Sequence, residues 1–263
     1  IMSENILEIK NLSKYFGGLA AVSNCSLKVK KGTITGIIGP NGSGKTTLFN
    51  LIAGNLKSSN GNVLFNNEEI TDVPSYELFS KGLLRTFQIA HEFTNLSVLE
   101  NLMMVPGNQS GEKLMNTFLK PSLVAKEEEI IKEKALEVVK FLNLEHLKNE
   151  LAGNLSGGQK KLLELGRTMM VDAKLVLLDE VGAGVNRTLL KDLGSAIEKL
   201  NKEKGYTFCM IEHDMDFISR MCDPVIVMSD GSVLFEGTPN EVKKNEKVIE
   251  SYLGRGNEKN GEK

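Results

Sequence analysis

The feature that most restricts the fold is a glycine-rich run, Gly39-Pro-Asn-Gly-Ser-Gly-Lys-Thr46, which fits the pattern G-x-x-x-x-G-K-[ST]. The residues before it predict a strand over 33–38, and those after it predict a helix over 45–53. Backbone N–H groups in such a loop wrap around phosphate oxygens, and the helix start adds partial positive charge. A glycine-rich turn occurring by chance would not explain the flanking strand and helix. The sequence therefore predicts an α/β core that binds a nucleotide.

Two side chains of this run have separate predicted roles. Lys45 would bring a full positive charge to the β and γ phosphates of ATP. The Thr46 hydroxyl suits Mg²⁺, a hard cation that prefers oxygen ligands. The predicted nucleotide-binding residues of the run are Gly39, Pro40, Asn41, Gly42, Ser43, Gly44, Lys45, Thr46 and Thr47.

Two carboxylates follow a second apolar strand, predicted over 175–178. Because ligands of α/β sheets lie at the carboxyl ends of the strands, we expect Asp179 to hold Mg²⁺, directly or through water. Glu180 would then orient or deprotonate the attacking water. Many strands end in acidic residues without any such role, so the pattern gains its meaning from the phosphate loop that precedes it in the chain.

The rest of the chain alternates short β-rich runs with helical runs, which indicates a mostly parallel sheet flanked by helices. Between about 91 and 155 the pattern is helical, apart from a loop-like stretch at 106–121, and this predicts an inserted helical subdomain. The predicted strands are 6–10, 26–29, 33–38, 62–65, 175–178, 207–211, 225–228 and 232–236, and the predicted helices are 45–53, 99–104, 126–142, 158–171, 188–201 and 215–221.

Composition limits the kinds of partner that the protein is expected to bind. A formal net charge of −2 gives no polybasic surface of the kind that binds nucleic acid or anionic membranes. Cys25, Cys209 and Cys222 are not spaced as metal ligands, so we expect buried, reduced thiols. No apolar run approaches the roughly 18 residues of a membrane span, and the N-terminus lacks a signal-peptide pattern. We therefore expect a cytosolic protein that reaches a membrane only through partners.

The segment Leu155-Ser-Gly-Gly-Gln159 decides the class. Ser156 is a good N-cap for the helix predicted at 158–171, and Gly157 and Gly158 would allow an anion to approach the backbone closely. With the phosphate loop and the acidic strand end, this segment resembles the signature of the ABC ATPase family, over about residues 6–253. The resemblance implies an α/β fold with a RecA-like P-loop core, an N-terminal antiparallel β-subdomain and an inserted helical subdomain.

The resemblance also implies domain boundaries. The ABC ATPase domain is expected at 1–253 and a flexible tail at 254–263. Within the domain, the core and the β-subdomain are expected at about 1–90 and 157–253, and the helical subdomain at about 91–156.

Further site residues are implied by the same resemblance. Gln88 resembles the Q-loop glutamine that reaches Mg²⁺ and the attacking water, which makes it a candidate metal ligand and catalytic residue beside Glu180. His213 resembles the switch histidine that contacts the γ-phosphate. Phe16 resembles the aromatic residue that stacks on adenine, and Tyr15 is the alternative.

In the family, the signature of one subunit binds the γ-phosphate held by the phosphate loop of a second subunit. Ser156, Gly157, Gly158 and Gln159 are therefore counted among the nucleotide-binding residues. The implied partners are a second ABC ATPase subunit in a homo- or heterodimer, two integral membrane permeases and an external solute-binding protein, with no nucleic acid. The implied location is the cytoplasmic face of the cell membrane.

Several stretches resemble the subfamily that takes up branched-chain amino acids: Leu84-Arg-Thr-Phe-Gln88, Leu96-Ser-Val-Leu-Glu-Asn-Leu102, Ala183-Gly-Val-Asn186 and Ile211-Glu-His-Asp-Met-Asp216. Val181 and Arg187 stand where the family usually has proline, which could alter the rigidity of the turn after the strand. Urea and lipopolysaccharide transporters share parts of this pattern. A non-transport ABC ATPase would carry a second cassette or a long coiled coil, and an inactive cassette would lack Lys45, Glu180 or His213.

Overall fold

The computed structural model describes residues 4–86, 92–107, 109–112, 115 and 119–253. Its strands are β1 (Asn5–Phe16), β2 (Leu19–Lys30), β3 (Ile34–Ile38), β4 (Asn60–Phe65), β5 (Glu68–Glu69), β6 (Leu83–Arg85), β7 (Leu175–Asp179), β8 (Thr207–Ile211), β9 (Val225–Ser229) and β10 (Ser232–Gly237). Its helices are α1 (Lys45–Ile52), α2 (Ser75–Lys81), α3 (Val98–Met103), α4 (Pro121–Phe141), α5 (Gly157–Met169), α6 (Arg187–Lys204), α7 (Met215–Met221), α8 (Pro239–Lys244) and α9 (Glu246–Leu253). Short 3₁₀ turns lie at Ser110–Glu112, Glu145–Leu147 and Ala152–Asn154.

The chain divides into two compact units. The first unit comprises Ile1–Arg85, Lys174–Gly182 and Glu198–Lys263, and the second comprises Thr86–Ala173 and Ala183–Ile197. The sequence-based boundaries near residues 91 and 156 remain a prediction. Among the described residues, no helix combines the length and the apolar character that crossing a membrane requires.

A six-stranded sheet in the order β10-β9-β3-β8-β7-β6 forms the centre of the first unit. Its neighbouring strands run parallel from β9 to β6, and β10 pairs antiparallel with β9. Every residue of β3, β7 and β8 is buried, as expected for parallel strands covered on both faces. The carboxyl ends of β3, β6, β7 and β8 therefore meet at one edge of the sheet.

A second sheet in the first unit has the order β2-β1-β4-β5 and is antiparallel throughout. In β2 the buried residues Cys25, Leu27 and Val29 alternate with exposed residues, so one face of the strand packs on the core. Such alternation is typical of an antiparallel sheet with one buried face. The predicted α/β fold with an antiparallel β-subdomain and a helical region is confirmed.

The second unit is built around α3, α4 and α5. A capping box between Ser97 and Glu100 starts α3. The side chain of Asn101 is fully buried and donates to the carbonyls of Phe93, Leu96 and Ser97, which fixes the loop before the helix. A Cβ atom at Gly166 of α5 would lie 2.7 Å from Leu142 Cδ1, so this glycine permits close packing within the unit.

The sequence missed short elements and misplaced one helix start. β6 has three residues and α2 has seven, too short for periodicity to reveal, and α8 and α9 were also missed. α4 begins at Pro121 rather than at residue 126, because proline is well suited to the first turn of a helix. Within the loop-like stretch, Ser110–Glu112 forms a 3₁₀ turn. The predicted tail at 254–263 lies outside the described residues.

Candidate ATP-binding and hydrolysis site

The phosphate loop joins the end of β3 to the start of α1, as the sequence predicts. Two of its glycines are required by their surroundings: a Cβ atom at Gly39 would lie 2.2 Å from the Met228 carbonyl oxygen, and one at Gly44 would lie 2.4 Å from that of Ala21. Gly44 is the N-cap of α1, with a φ of 97°, and no side chain forms a capping hydrogen bond at this helix start. The start of α1, with its partial positive charge, therefore suits an anion.

Lys45 is buried inside the loop it belongs to. Its Nζ atom donates to the carbonyl oxygens of Gly39 at 2.8 Å and Pro40 at 3.1 Å, and it lies 3.5 Å from Ser43 Oγ. These bonds compensate the buried charge and hold the ammonium group beneath the loop. The loop thus carries a fixed positive charge on a backbone already shaped around it.

Asp179 ends β7 and is buried at the carboxyl edge of the sheet. Its Oδ2 atom accepts a hydrogen bond from Arg85 Nη2 at 2.7 Å, and Arg85 Nη1 donates to Asn50 Oδ1 on α1 at 2.6 Å. Arg85 stands at the end of β6, the strand next to β7 in the sheet. Motifs in the sequence predict a role for Asp179 but none for Arg85, whose partner is remote in the chain.

Glu180 and His213 come together after the ends of β7 and β8. Glu180 Oε1 lies 3.0 Å from His213 Nε2. Both residues line a cleft of about 130 Å³ with the loop residues Asn41, Gly42, Gly44, Lys45, Thr46 and Thr47. The structure therefore brings the predicted catalytic carboxylate, the predicted switch histidine and the phosphate loop to one place.

The backbone of Glu180 is in the left-handed region, with a φ of 49°. Non-glycine residues adopt this conformation rarely, and it persists only where the surroundings enforce it. The Glu180 N–H donates to the Ile211 carbonyl oxygen at 2.9 Å, which pins the residue to the end of β8. This strained turn aims the Glu180 side chain into the cleft.

Glu212 is a buried carboxylate that the sequence analysis did not single out. Its Oε1 atom accepts from the Gly182 N–H at 2.8 Å, and its Oε2 atom accepts from the His213 N–H at 3.4 Å. Burial raises the pKa of Glu212 above its ordinary value, although the two hydrogen bonds oppose that shift. One side chain thus ties the turn after Glu180 to the segment that carries His213.

Two family models match the chain. One, described as ABC transporter, matches residues 22–183, and the other, described as branched-chain amino acid ATP-binding cassette transporter, matches residues 232–257. The chain belongs to the ATP-binding cassette family of ABC transporters. It is an ATPase of the kind that couples hydrolysis to transport, as its sequence predicts.

Relatives and solved structures agree with this assignment. The cassette is 44% identical over 249 residues to a probable branched-chain amino acid transport ATP-binding protein of Archaeoglobus fulgidus, with 95% of each chain covered. A solved ABC transporter cassette in its ADP conformation is 40% identical, with a TM-score of 0.82 over 96% of this chain and all of that one. A dimeric cassette bound to ADP and phosphate is 26% identical, with a TM-score of 0.71, 89% of this chain and 98% of that one.

Two aromatic residues at the end of β1 are exposed. Phe16 is 48% exposed and Tyr15 43%, and Lys14 Nζ lies 5.3 Å from the centre of the Phe16 ring. A cation above one face leaves the ring's other face for stacking. Because the two side chains are exposed to a similar extent, burial does not decide which of them stacks on adenine. Stacking by Phe16 stays a prediction, with Tyr15 as its alternative.

The signature segment starts α5 of the cassette. Ser156 is the N-cap: its hydroxyl accepts from the Gln159 N–H at 3.4 Å, and Gln159 Oε1 accepts from the Ser156 N–H at 2.8 Å. A Cβ atom at Gly157 would meet only the Gly184 carbonyl oxygen, at an ordinary 3.8 Å, whereas one at Gly158 would lie 2.4 Å from Leu189 Cδ1 on α6. Packing against Leu189 therefore explains why position 158 is glycine. The anion-binding role predicted for both glycines stays a prediction, and at Gly157 the surroundings leave room for an anion.

The donors predicted for magnesium suit that ion in kind. Thr46 is exposed beside the cleft, and Asp179 supplies a carboxylate at the sheet edge. Mg²⁺ is typically held by one or two protein oxygens together with nucleotide phosphates and water. Among the described residues no group of three or more acidic, histidine or cysteine side chains could hold a metal ion. Gln88, the third predicted ligand, lies outside the described residues.

Proposed function

We propose that the phosphate loop, Asp179, Glu180 and His213 form the hydrolytic centre of this cassette. The observation that carries the proposal is the contact of 3.0 Å between Glu180 and His213 at the rim of the loop. Lys45 and the N–H groups at the start of α1 would hold the β and γ phosphates of ATP. The site then needs a group that directs water at the terminal phosphate, and Glu180, a carboxylate that lines the cleft beside the loop, would serve as that group.

Glu180 would accept the proton of the attacking water, and His213 would hold the Glu180 carboxylate and contact the γ-phosphate. The strained backbone of Glu180 fits this role, because a side chain fixed before the reaction loses less freedom during it. Thr46 and Asp179, with Gln88, would hold Mg²⁺. When bound, the ion neutralises charge that develops on the phosphate oxygens.

The signature points to a second cassette, because Ser156 and Gln159 start a helix whose N-terminus suits an anion. ATP bound by one subunit would be completed by the signature of the other, so binding would join the subunits and hydrolysis would release them. Such an alternation can move attached partners. The dimeric solved cassette that resembles this chain supports this arrangement.

The transported solute we propose is a branched-chain amino acid, taken up through two permeases and an external binding protein, with the cassette at the cytoplasmic face. The family model matching residues 232–257 and the Archaeoglobus relative support this choice. Co-expression with the partner permeases in vesicles and measurement of ATP-dependent leucine uptake would test it. Uptake of urea in place of leucine would contradict it.

The hydrolytic assignment is tested by Glu180→Gln. This change keeps the shape of the side chain but removes its basicity, so turnover should fall at least about 100-fold while ATP binding is retained. Phosphate release and binding of a fluorescent ATP analogue measure the two properties. Glu236→Gln, an exposed change in β10, is the matched control. Full turnover in the Glu180 variant would refute the role of this residue.

A further inference from the structure

Arg85 joins three elements at the carboxyl edge of the sheet. It stands at the end of β6 opposite Leu177 of β7, and Asp179 lies two residues further along the same face of β7. The guanidinium reaches Asp179 with Nη2 and Asn50 of α1 with Nη1, at 2.7 and 2.6 Å. One side chain therefore couples the predicted magnesium ligand to the helix that follows the phosphate loop.

The pair is almost fully buried, with 9% of the Arg85 side chain and 6% of the Asp179 side chain exposed. A buried charge pair is costly to desolvate, so it is poor evidence for stability by itself. Arg85 Nε is also buried and has no hydrogen-bond partner among the described residues. A hydrophobic pair would fill this space at lower cost, so the arrangement calls for a role beyond packing.

We propose that Arg85 is a positioning residue for the magnesium site of this cassette. By holding Oδ2 of Asp179, it fixes the rotamer of the carboxylate, which would leave Oδ1 for the metal or for a metal-bound water. Carboxylates that bind metals are commonly held by such outer partners, whose loss weakens metal binding about 10- to 100-fold. The inference rests on the proposed role of Asp179, and the experiment separates the two.

The experiment measures metal binding without turnover. Each variant is saturated with fluorescent ADP, and Mg²⁺ is then titrated to find the concentration at half-saturation. Separate ADP titrations in excess EDTA report the metal-free site. Asp179→Asn sets the effect of losing the predicted ligand. Lys81→Met, which removes an equal charge from the exposed Lys81–Glu68 pair four residues from Arg85, is the matched control.

We expect Arg85→Met to raise the half-saturating Mg²⁺ concentration about 10- to 100-fold, with ADP affinity in EDTA unchanged. Arg85→Lys should lie between that variant and the parent protein, because an ammonium group cannot hold Asp179 and Asn50 as a planar fork does. Adding Arg85→Met to Asp179→Asn should cause no further loss, since the residue acts through the carboxylate. Lys81→Met should change nothing.

Several outcomes would overturn the inference. An unchanged Mg²⁺ requirement in Arg85→Met contradicts it, and so does an equal loss of ADP affinity in EDTA, which marks a purely structural role. Should Arg85→Met fail to fold, Arg85→Lys decides on the same two readouts. If Asp179→Asn itself leaves the Mg²⁺ requirement unchanged, the proposed metal role of Asp179 is wrong, and the inference about Arg85 is lost with it.

Discussion

The phosphate loop and the edge formed by the ends of β7 and β8 face the same cleft, yet different parts of the chain hold them. The loop is held through its backbone: Lys45 bonds to the carbonyl groups of Gly39 and Pro40, and the glycines Gly39 and Gly44 leave room for carbonyl groups of other segments. The edge is held by side chains that are remote in sequence from the residues they hold, because Arg85 holds Asp179 and Glu212 holds the turn after Glu180. The phosphate loop is thus recognised from one contiguous pattern, whereas the geometry of the catalytic edge depends on side-chain contacts between distant segments.

The largest expected effect is on the loop. In Gly44→Ala the new Cβ atom would lie 2.4 Å from the Ala21 carbonyl oxygen, at a residue with a φ of 97°. Backbone strain and this clash together should lower the free energy of unfolding by at least about 3 kcal/mol. ATP binding should be lost with it. Thermal unfolding and a fluorescent ATP titration measure both, with Gly18→Ala, which has open space, as the control. ATP binding by Gly44→Ala as tight as that of the parent protein would contradict the claim that the backbone of the loop determines nucleotide binding.

A smaller effect, separable from binding, is expected at the edge. Glu212→Ala leaves the N–H groups of Gly182 and His213 without their acceptor, so the Glu180 turn should lose its fixed position. We expect kcat to fall about 10- to 100-fold while the KM for ATP is nearly unchanged. Glu212→Gln keeps one oxygen acceptor and should recover part of kcat. A rise in KM equal to the fall in kcat would show that the edge and the loop are not independent.

The smallest effect concerns pH. Burial raises the pKa of Glu212 above that of the unfolded chain, an effect that the charge of Glu180 reinforces. The stabilising contribution of this group is complete below its unfolded pKa and is lost as pH rises through the raised folded pKa. The Tm of Glu212→Gln relative to the parent should therefore increase as pH rises from about 4 towards neutrality. A Tm difference that stays constant across this range would contradict the raised pKa of Glu212.

The same contrast explains what the sequence could predict. The phosphate loop, the end of β7 and the Ser156 cap are contiguous patterns, so strand, loop, helix and cap were located from residue types alone. Arg85 could not be assigned, since its partner Asp179 is specified by the pairing of β6 with β7, and β6 is only three residues long. Glu212 lies in a stretch that resembles the family, but its carboxylate accepts from the backbone N–H groups of Gly182 and His213, and no motif records such bonds.

The packing of Gly158 against Leu189 has a consequence for how this sequence can change. Because no methyl group fits between them, the signature helix and the start of α6 are in contact with no spare volume. A larger residue at position 158 therefore needs a smaller residue at 189 or a shift of α6. A substitution at 189, outside every recognised motif, would therefore change the packing against the first turn of the signature helix.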